Sequence, residues 1–267
     1  MYPTPRSWFR RHIERWEGAW QEHPADVGNY VRMPDGARRL IGTMRGVTPA
    51  AFARYRGIPA HDVTAEMLRT EVTLDVAAAI AVTFYYRLPR FHLLTTHPLV
   101  EIASDIGWGS GPARGVRMLQ RQIGADVDGA IGPRTQDAYE TFIAKADVEP
   151  AIVALTAARA AFYRRISDPQ SHNPRHRANH VFRNGWLRRA NHFVPTNPRW
   201  WRNWTAWDAV HDPVPEVSEP LVADDDTPAI RPVDPFDGAR DPIDTMLETL
   251  HAVLGDRVDL DALREVA

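Results

Sequence analysis

The sequence has no cysteine among its 267 residues. This absence excludes disulfides and thiolate chemistry, and it leaves the redox compartment undetermined. Long apolar runs are missing too, since the most apolar stretch, residues 76–82, is far shorter than the roughly 18 residues that a membrane helix needs. We therefore predict a chain without a membrane span. With 44% hydrophobic residues, it can bury one substantial core beside a small second unit.

Signatures of nucleotide and metal chemistry are also lacking, because the sequence has no glycine-rich phosphate loop and no HExxH motif. His172, His176 and His180 are spaced four apart, as metal ligands on one helical face would be. Pro174 interrupts such a helix, and two nearby arginines would repel a cation, so a solvated basic loop is the preferred interpretation. No metal or other cofactor is therefore expected.

Hydrophobic periodicity predicts a mainly α body that begins with a helix over residues 6–17, ending at Gly18. The large apolar side chains on one face of this helix are Trp8, Phe9, Ile13 and Trp16. Prolines and glycines then break regular structure up to about residue 47, and this segment has room for a short β-hairpin.

The rest of the body is predicted to consist of further helices. Thr48 and Thr64 are expected to cap two of them, and residues 74–86 are apolar on nearly all sides, as in a helix that runs through the core. Additional helical patterns cover residues 99–106, 114–123, 134–144 and 149–166.

The net charge reverses near the C-terminus. From His211 onward 15 acidic residues outnumber 4 arginines, whereas the preceding body has 19 acidic and 28 basic residues. A basic body suits an anionic partner such as a cell-wall polymer or nucleic acid, although an ordinary soluble surface has the same composition. Proline and aspartate dominate residues 211–242, which predicts an acidic linker, and residues 243–267 are predicted to form an amphipathic helix.

Glu17 is the strongest candidate for a catalytic residue. Cleaving a glycosidic bond requires a carboxylic acid that gives its proton to the leaving oxygen, together with a second group that handles water or the developing cation. Glu17 lies where an aromatic helix meets Gly18, and Trp16 and Trp20 could keep water from its carboxyl group and favour the protonated acid. Asp26 follows after eight intervening residues, the separation seen between the two acidic residues of phage-type lysozymes.

Three segments resemble, in order, the motifs of the family 108 glycoside hydrolases. The family pattern runs approximately EGGY, DPAD and GGxTxxGIT, and this sequence reads EGAW at 17–20, HPAD at 23–26 and IGTMRGVT at 41–48. It departs from the pattern at Ala19 and Ile41 and through extra residues between the second and third segments.

The second half resembles the same family's predicted peptidoglycan domain. Residues 105–114 read DIGWGSGPAR, residues 119–120 read LQ, residues 128–135 read DGAIGPRT, and residues 182–189 read FRNGWLRR. These stretches are similar to the family's D-x-x-x-N-x-G-P-x-R-A, LQ, DGxxGPxT and F-x-x-GW-x-x-R segments. The resemblance covers about residues 6–195.

This resemblance implies an α+β lysozyme-like fold and hydrolysis of the β-1,4 bond between N-acetylmuramic acid and N-acetylglucosamine. Glu17 would be the general acid. Asp26 would be the base or an electrostatic stabiliser. A phage-type lysozyme also has a threonine after the second acid with five residues between them, where this sequence has Arg32, so Thr43 is the nearest candidate to hold the attacking water.

Aromatic residues are candidates for glycan binding, because their faces pack against the apolar faces of pyranose rings. We expect Trp20, Tyr86 and Trp108 to contact the substrate. The tryptophans near the C-terminal end of the body are more typical of a packed helix face than of a sugar-binding surface; they are Trp200, Trp201, Trp204 and Trp207.

The expected organisation is a lysozyme-like catalytic region over residues 1–95 and a predicted peptidoglycan-domain region over residues 96–210, packed with it. We expect no secretory signal, because the first residues contain no apolar stretch followed by small residues. We therefore expect a phage endolysin or virion-associated lysin, made in the bacterial cytoplasm, that acts on peptidoglycan in the cell wall or periplasm. A lytic transglycosylase and an inactive wall-binding virion structural protein are the alternative hypotheses.

The acidic tail is predicted to be a separable tether whose final helix docks on a phage or other particle protein or self-associates. A chain ending at Val210 should therefore keep its specific activity on purified peptidoglycan, measured as the loss of turbidity of a suspension. Folding back of the tail onto the basic body is the alternative, and the opposite charges would favour it at low salt. If truncation unfolds the protein or destroys catalysis, the tail is part of the core.

Overall fold

Helices dominate the computed structural model, which describes residues 4–145 and 148–193. The mainly α, lysozyme-like fold predicted from the sequence is confirmed. Its α-helices are α1 (Pro5–Trp16), α2 (Pro49–Arg56), α3 (Ala65–Glu71), α4 (Leu74–Ala81), α5 (Pro98–Ser110), α6 (Pro112–Ile123), α7 (Pro133–Lys145), α8 (Val148–Ile166), α9 (Pro174–Ala178) and α10 (Arg183–Asn191).

Short antiparallel strands fill much of the segment between α1 and α2. Strand β1 (Trp20–Gln21) pairs with β4 (Thr43–Met44), and β2 (Tyr30–Arg32) pairs with β3 (Arg38–Leu40). The inner pair is a hairpin, and the outer pair returns the chain to the end of α1. The hairpin proposed for this segment is therefore present, with a second strand pair outside it.

Threonine side chains cap the N-termini of four helices. The side chains of Thr4, Thr48, Thr64 and Thr73 each accept a hydrogen bond at 3.2 Å from the backbone N–H three residues later. Such a cap satisfies an amide that has no partner within its own helix. A proline follows the first two threonines and is preset for the first helical position. The caps predicted at Thr48 and Thr64 are confirmed.

The core forms where α1 lies against α4 and α5. Trp8, Phe9 and Ile13 of α1 are fully buried, as the apolar spacing in the sequence predicts. Burying a large apolar side chain contributes about 1.5–3 kcal/mol to stability, so this helix is held mainly by its inner face. It ends one residue earlier than expected, at Trp16, and Glu17 has an extended backbone beyond it.

The long core helix expected over residues 74–86 changes geometry partway along. Helix α4 ends at Ala81, and the chain continues as a wider π-helical turn over Val82–Arg87. Such turns are rare and are often found at functional sites. This one carries Tyr85 and Tyr86, of which Tyr86 is buried in the core.

Helices α5 and α6 approach closely at Gly115. A Cβ atom at this position would overlap the backbone carbonyl oxygen of Ala103 and lie 3.1 Å from the backbone nitrogen of Gly107. Only a residue without a side chain allows the two helix backbones to meet there. The close contact fixes α6 against α5, the helix that is buried along most of its length.

Several predictions fall outside the residues that the structure describes. They are the linker over residues 211–242, the helix over residues 243–267 and the packing of Trp200, Trp201, Trp204 and Trp207. Among the helices of the described ranges, none is long and apolar enough to cross a membrane.

Two glycine-to-alanine substitutions in helices should have opposite effects on stability. Gly115→Ala forces a methyl group into the α5 backbone and should lower the free energy of unfolding by at least about 1–3 kcal/mol. Gly185→Ala in α10 meets nothing within 4 Å and should raise it by roughly 0.5–1 kcal/mol, because alanine favours the helix. Denaturant titration measures both changes, and equal effects would contradict the close contact at Gly115.

Candidate active site

The chain after α1 folds so that two of the motif segments lie side by side near Glu17. The N–H of Arg45 donates a hydrogen bond to the carbonyl of Ala19 at 2.9 Å. Across the β1–β4 pair, Gln21 lies opposite Thr43. The EGAW and IGTMRGVT segments therefore form one small structure at the end of the first helix.

The HPAD segment joins this structure through Asp26. One carboxylate oxygen of Asp26 accepts from Nε2 of Gln21 at 2.6 Å, and the other accepts from the N–H of Gly28 at 2.9 Å. Buried Asn29 exchanges two hydrogen bonds with Gln21, at 3.0 and 2.9 Å. Both oxygens of Asp26 are therefore engaged, and Gln21 links this acid to the strand opposite Thr43.

The carboxylate of Glu17 is held from one side and remains partly open to solvent. Nε1 of Trp108 donates to Oε1 at 2.8 Å, and Nη1 of Arg189 forms an ion pair with the same oxygen. The side chain of Glu17 is 20% exposed. Its other oxygen, Oε2, faces Gly46, where a Cβ atom would lie only 2.9 Å away.

Arg189 is itself held by a buried carboxylate. Its Nε and Nη2 donate to the two oxygens of Asp105, at 3.1 and 2.6 Å, and Arg159 lies 2.7 Å from the same group. Burial alone would raise the pKa of Asp105, but the charges of Arg189, Arg159 and His12 outweigh it and hold that pKa far below its usual range. Asp105 is thus ionised and keeps Arg189 in place against Glu17.

Three polar side chains on α5 reach three different neighbours. Glu101, Asp105 and Trp108 follow one another at spacings of four and three, which places them on one face of the helix. Glu101 contacts Nε2 of His12 at 2.7 Å with both side chains almost fully buried. The face therefore connects α5 to α1 at His12 and to Glu17, the residue that follows α1.

Aromatic rings surround the indole that binds Glu17. Tyr85 meets Trp108 edge to face, with ring centroids 5.0 Å apart, and Phe9 lies 6.3 Å away on another side. Burial raises the pKa of Tyr85 to about 12, with the charge of Arg54 opposing the rise and that of Glu17 adding to it. The phenol is therefore neutral at physiological pH and stays a potential hydrogen-bond donor beside the carboxylate.

The three residues that were predicted to contact glycan differ in their burial and in their neighbours. Trp108 is partly buried and is already bonded to Glu17. Trp20 is partly buried, and the guanidinium of Arg69 lies over its ring at 4.0 Å. The expectation for Tyr86 needs correction: it is only 6% exposed and packs edge to face against Trp8, so its ring belongs to the core.

The histidines spaced four apart do not share a helix. Helix α9 begins at Pro174, with Asn173 as its cap, so His172 precedes the helix that carries His176. Across residues 4–145 and 148–193, no group of three or more histidine, aspartate or glutamate side chains is arranged to hold a metal ion.

Sequence reasoning missed several residues around Glu17. Asp105 and Arg189 stand at the ends of two quoted motif segments, DIGWGSGPAR and FRNGWLRR, but nothing in either segment showed that they would pair. A signal did exist in α5, because Glu101 and Asp105 are acidic residues four apart in an otherwise apolar helix. Such residues are almost never fully buried unless they are paired, so they predict buried partners.

Comparison with known proteins finds two family models that match this chain. Residues 10–111 match the family described as Glycosyl hydrolase 108, and residues 114–191 match the one described as Predicted Peptidoglycan domain. Residues 10–111 are thus similar to the family 108 glycosyl hydrolases. The resemblance noted in the sequence is thereby confirmed, and the two matches together support a peptidoglycan hydrolase.

One solved structure supports the fold independently. SagA of Brucella abortus is similar with a TM-score of 0.55 and 24% sequence identity, over 75% of this chain and 97% of that chain. At this level of identity the likeness concerns the fold alone. Among curated proteins no significant match was found.

The two family matches divide the residues around Glu17 between them. Glu17, Asp105 and Trp108 belong to the family 108 domain, whereas Arg159 and Arg189 belong to the predicted peptidoglycan domain. The matches meet between α5 and α6, so the ion pairs of Asp105 connect residues on both sides of this boundary.

Gly46→Ala should reduce hydrolysis of peptidoglycan much more than it reduces stability. The new methyl group would lie 2.8 Å from Cδ of Glu17 and displace the carboxyl group, and a shift of about 1 Å in a catalytic group can cost a hundredfold in rate. Turbidity loss of a peptidoglycan suspension measures the activity, and thermal melting measures the stability.

Gly57→Ala is the matched control. Gly57 has a positive φ of 68°, close to the 75° of Gly46, but a Cβ atom there meets nothing within 4 Å. It therefore introduces the same kind of backbone strain without contact to Glu17. Equal activity losses in the two variants would mean that strain, rather than displacement of Glu17, is responsible.

Proposed function

We propose that this family 108 hydrolase is an N-acetylmuramidase, which cleaves the β-1,4 bond between N-acetylmuramic acid and N-acetylglucosamine with Glu17 as its general acid. The observation that carries the proposal is the environment of Glu17: a partly exposed carboxyl group with two donors on one oxygen and a glycine against the other. A glycosidase acid needs this combination of access and fixed orientation.

The hydrogen bonds of Glu17 specify which oxygen carries the proton. A protonated carboxyl group has one accepting oxygen and one hydroxyl. Trp108 and Arg189 both donate to Oε1, so Oε1 is the acceptor and the proton belongs on Oε2. No hydrogen bond to Oε2 comes from residues 4–145 or 148–193, which leaves this oxygen able to donate to the glycosidic oxygen of a bound glycan.

Asp26 is assigned the electrostatic role that the sequence left open. Both of its oxygens accept hydrogen bonds, from Gln21 and Gly28, which favours a fixed negative charge over a base that must turn toward water. A carboxylate of this kind stabilises the positive charge that develops on the sugar ring. Thr43 lies across the strand pair from Gln21 and is proposed to help hold the attacking water.

Peptidoglycan is the proposed substrate of the whole arrangement, with Trp20 and Trp108 as the aromatic contacts to its sugar rings. Both rings are partly buried and lie in the family 108 domain, one just after Glu17 and the other bonded to it. A role as a phage endolysin or virion-associated lysin remains our hypothesis for how the enzyme reaches the cell wall.

A lytic transglycosylase is the alternative that one observation favours. This reaction needs a single acid and no base that activates water, because the sugar's own 6-hydroxyl closes the ring. The engagement of both Asp26 oxygens fits such an enzyme as well as it fits an electrostatic stabiliser. Mass spectrometry of the digested peptidoglycan separates the two reactions, since 1,6-anhydro ends form only in the transglycosylase.

Glu17→Gln should abolish cleavage while the protein stays folded. The amide keeps an oxygen for Trp108 and Arg189 but has no transferable proton, so we expect turnover of purified peptidoglycan to fall by at least about a hundredfold. Glu14→Gln is the matched control, because Glu14 is an exposed carboxylate on the same helix. Activity of Glu17→Gln within a few-fold of the wild type would refute the assignment. An inactive wild type that still binds peptidoglycan would instead support a structural wall-binding protein.

A further inference from the structure

Charged side chains from the two family domains alternate beneath the candidate active site. Glu17 of the hydrolase domain pairs with Arg189 of the peptidoglycan domain, Arg189 pairs with Asp105 of the hydrolase domain, and Asp105 pairs with Arg159 of the peptidoglycan domain. Each ion pair therefore crosses the boundary between the two matches.

These arginines are not available to bind an anionic wall polymer. The side chain of Arg159 is fully buried, and that of Arg189 is 10% exposed. A buried charge is tolerated only when it is paired and hydrogen-bonded, and both guanidinium groups are directed at Asp105. A site that binds an anionic wall polymer would need its cations at the surface. Arg159 and Arg189 therefore have a different role.

We propose that the peptidoglycan domain completes the catalytic centre of the hydrolase domain, with Arg189 as the positioning residue for Glu17. The guanidinium has the shape for this task, because two of its nitrogens bind Asp105 while the third binds Oε1 of Glu17. Asp105 and Arg159 hold this guanidinium group in place. The proposal rests on the proposed role of Glu17 as the acid.

Arg189→Gln in the full chain tests the proposal. We expect kcat on purified peptidoglycan to fall by about a hundredfold with little change in KM, since the acid is misplaced while the sugar contacts remain. A variant that only loosened the fold would not lower kcat selectively in this way. The control is Arg188→Gln, which removes an exposed arginine one residue away and should leave both quantities unchanged.

Arg189→Lys keeps the test decisive if the glutamine variant does not fold. Lysine retains the positive charge but cannot bind Asp105 through two nitrogens and Glu17 through a third. We expect kcat to be lowered at least about tenfold with little change in KM, as for losses of residues that orient a catalytic group. Thermal melting confirms which variants are folded.

The outcomes separate this proposal from the proposed function. A folded Arg189→Gln or Arg189→Lys variant with wild-type kcat would overturn the positioning role while an inactive Glu17→Gln variant still identifies the acid. If Glu17→Gln is active, the acid is misassigned and both proposals fall together.

Discussion

The buried acids of α5 determine what the helices around them must supply. A carboxylate without a partner in a protein interior costs several kcal/mol, so Glu101 and Asp105 each require a cation or a donor within reach. His12 meets the first requirement and the arginines of α8 and α10 meet the second. Helices α1, α8 and α10 are thereby joined to α5 by polar contacts as well as by apolar packing. The position of Arg189, and through it that of Glu17, follows from this pairing.

Glu17 is fixed from two directions that have different physical origins. Below it, buried charges and an indole hold one oxygen. Beside it, the returning strand β4 and the turn at Gly46 leave just enough room for the other. The first depends on long-range packing of helices and the second on a local strand pair, so the carboxyl group has a defined orientation although it lies at the edge of the core. A proton donor must remain accessible, and this arrangement provides access without freedom of rotation.

Local patterns in the sequence predicted much of the fold and the candidate acid, but not the residues that hold it. The helices were visible because their apolar residues recur every three to four positions, and Thr48 and Thr64 were visible because caps use a few residue types. Arg189 was not, since it lies 172 residues from Glu17 and only the packing of α10 on α8 brings it near. Tyr86 was chosen as a glycan contact although it is buried, and the π-helical turn explains the difficulty. A π-helical turn contains more residues than the 3.6 of an α-helical turn. Its side chains therefore lie on faces that the regular α-helical period does not predict.

The connection between α5 and α6 is a single residue, Gly111, and Gly115 presses the start of α6 against the backbone of α5. The family boundary therefore lies within a packed helical corner rather than in a linker. Exchanging the peptidoglycan domain for one from another enzyme would cut through this corner and remove Arg159 and Arg189, the partners of Asp105. In protein engineering, the residues that match the two families should be transferred together as one unit. Chimeras are better joined after α10 than at the point where the two matches meet.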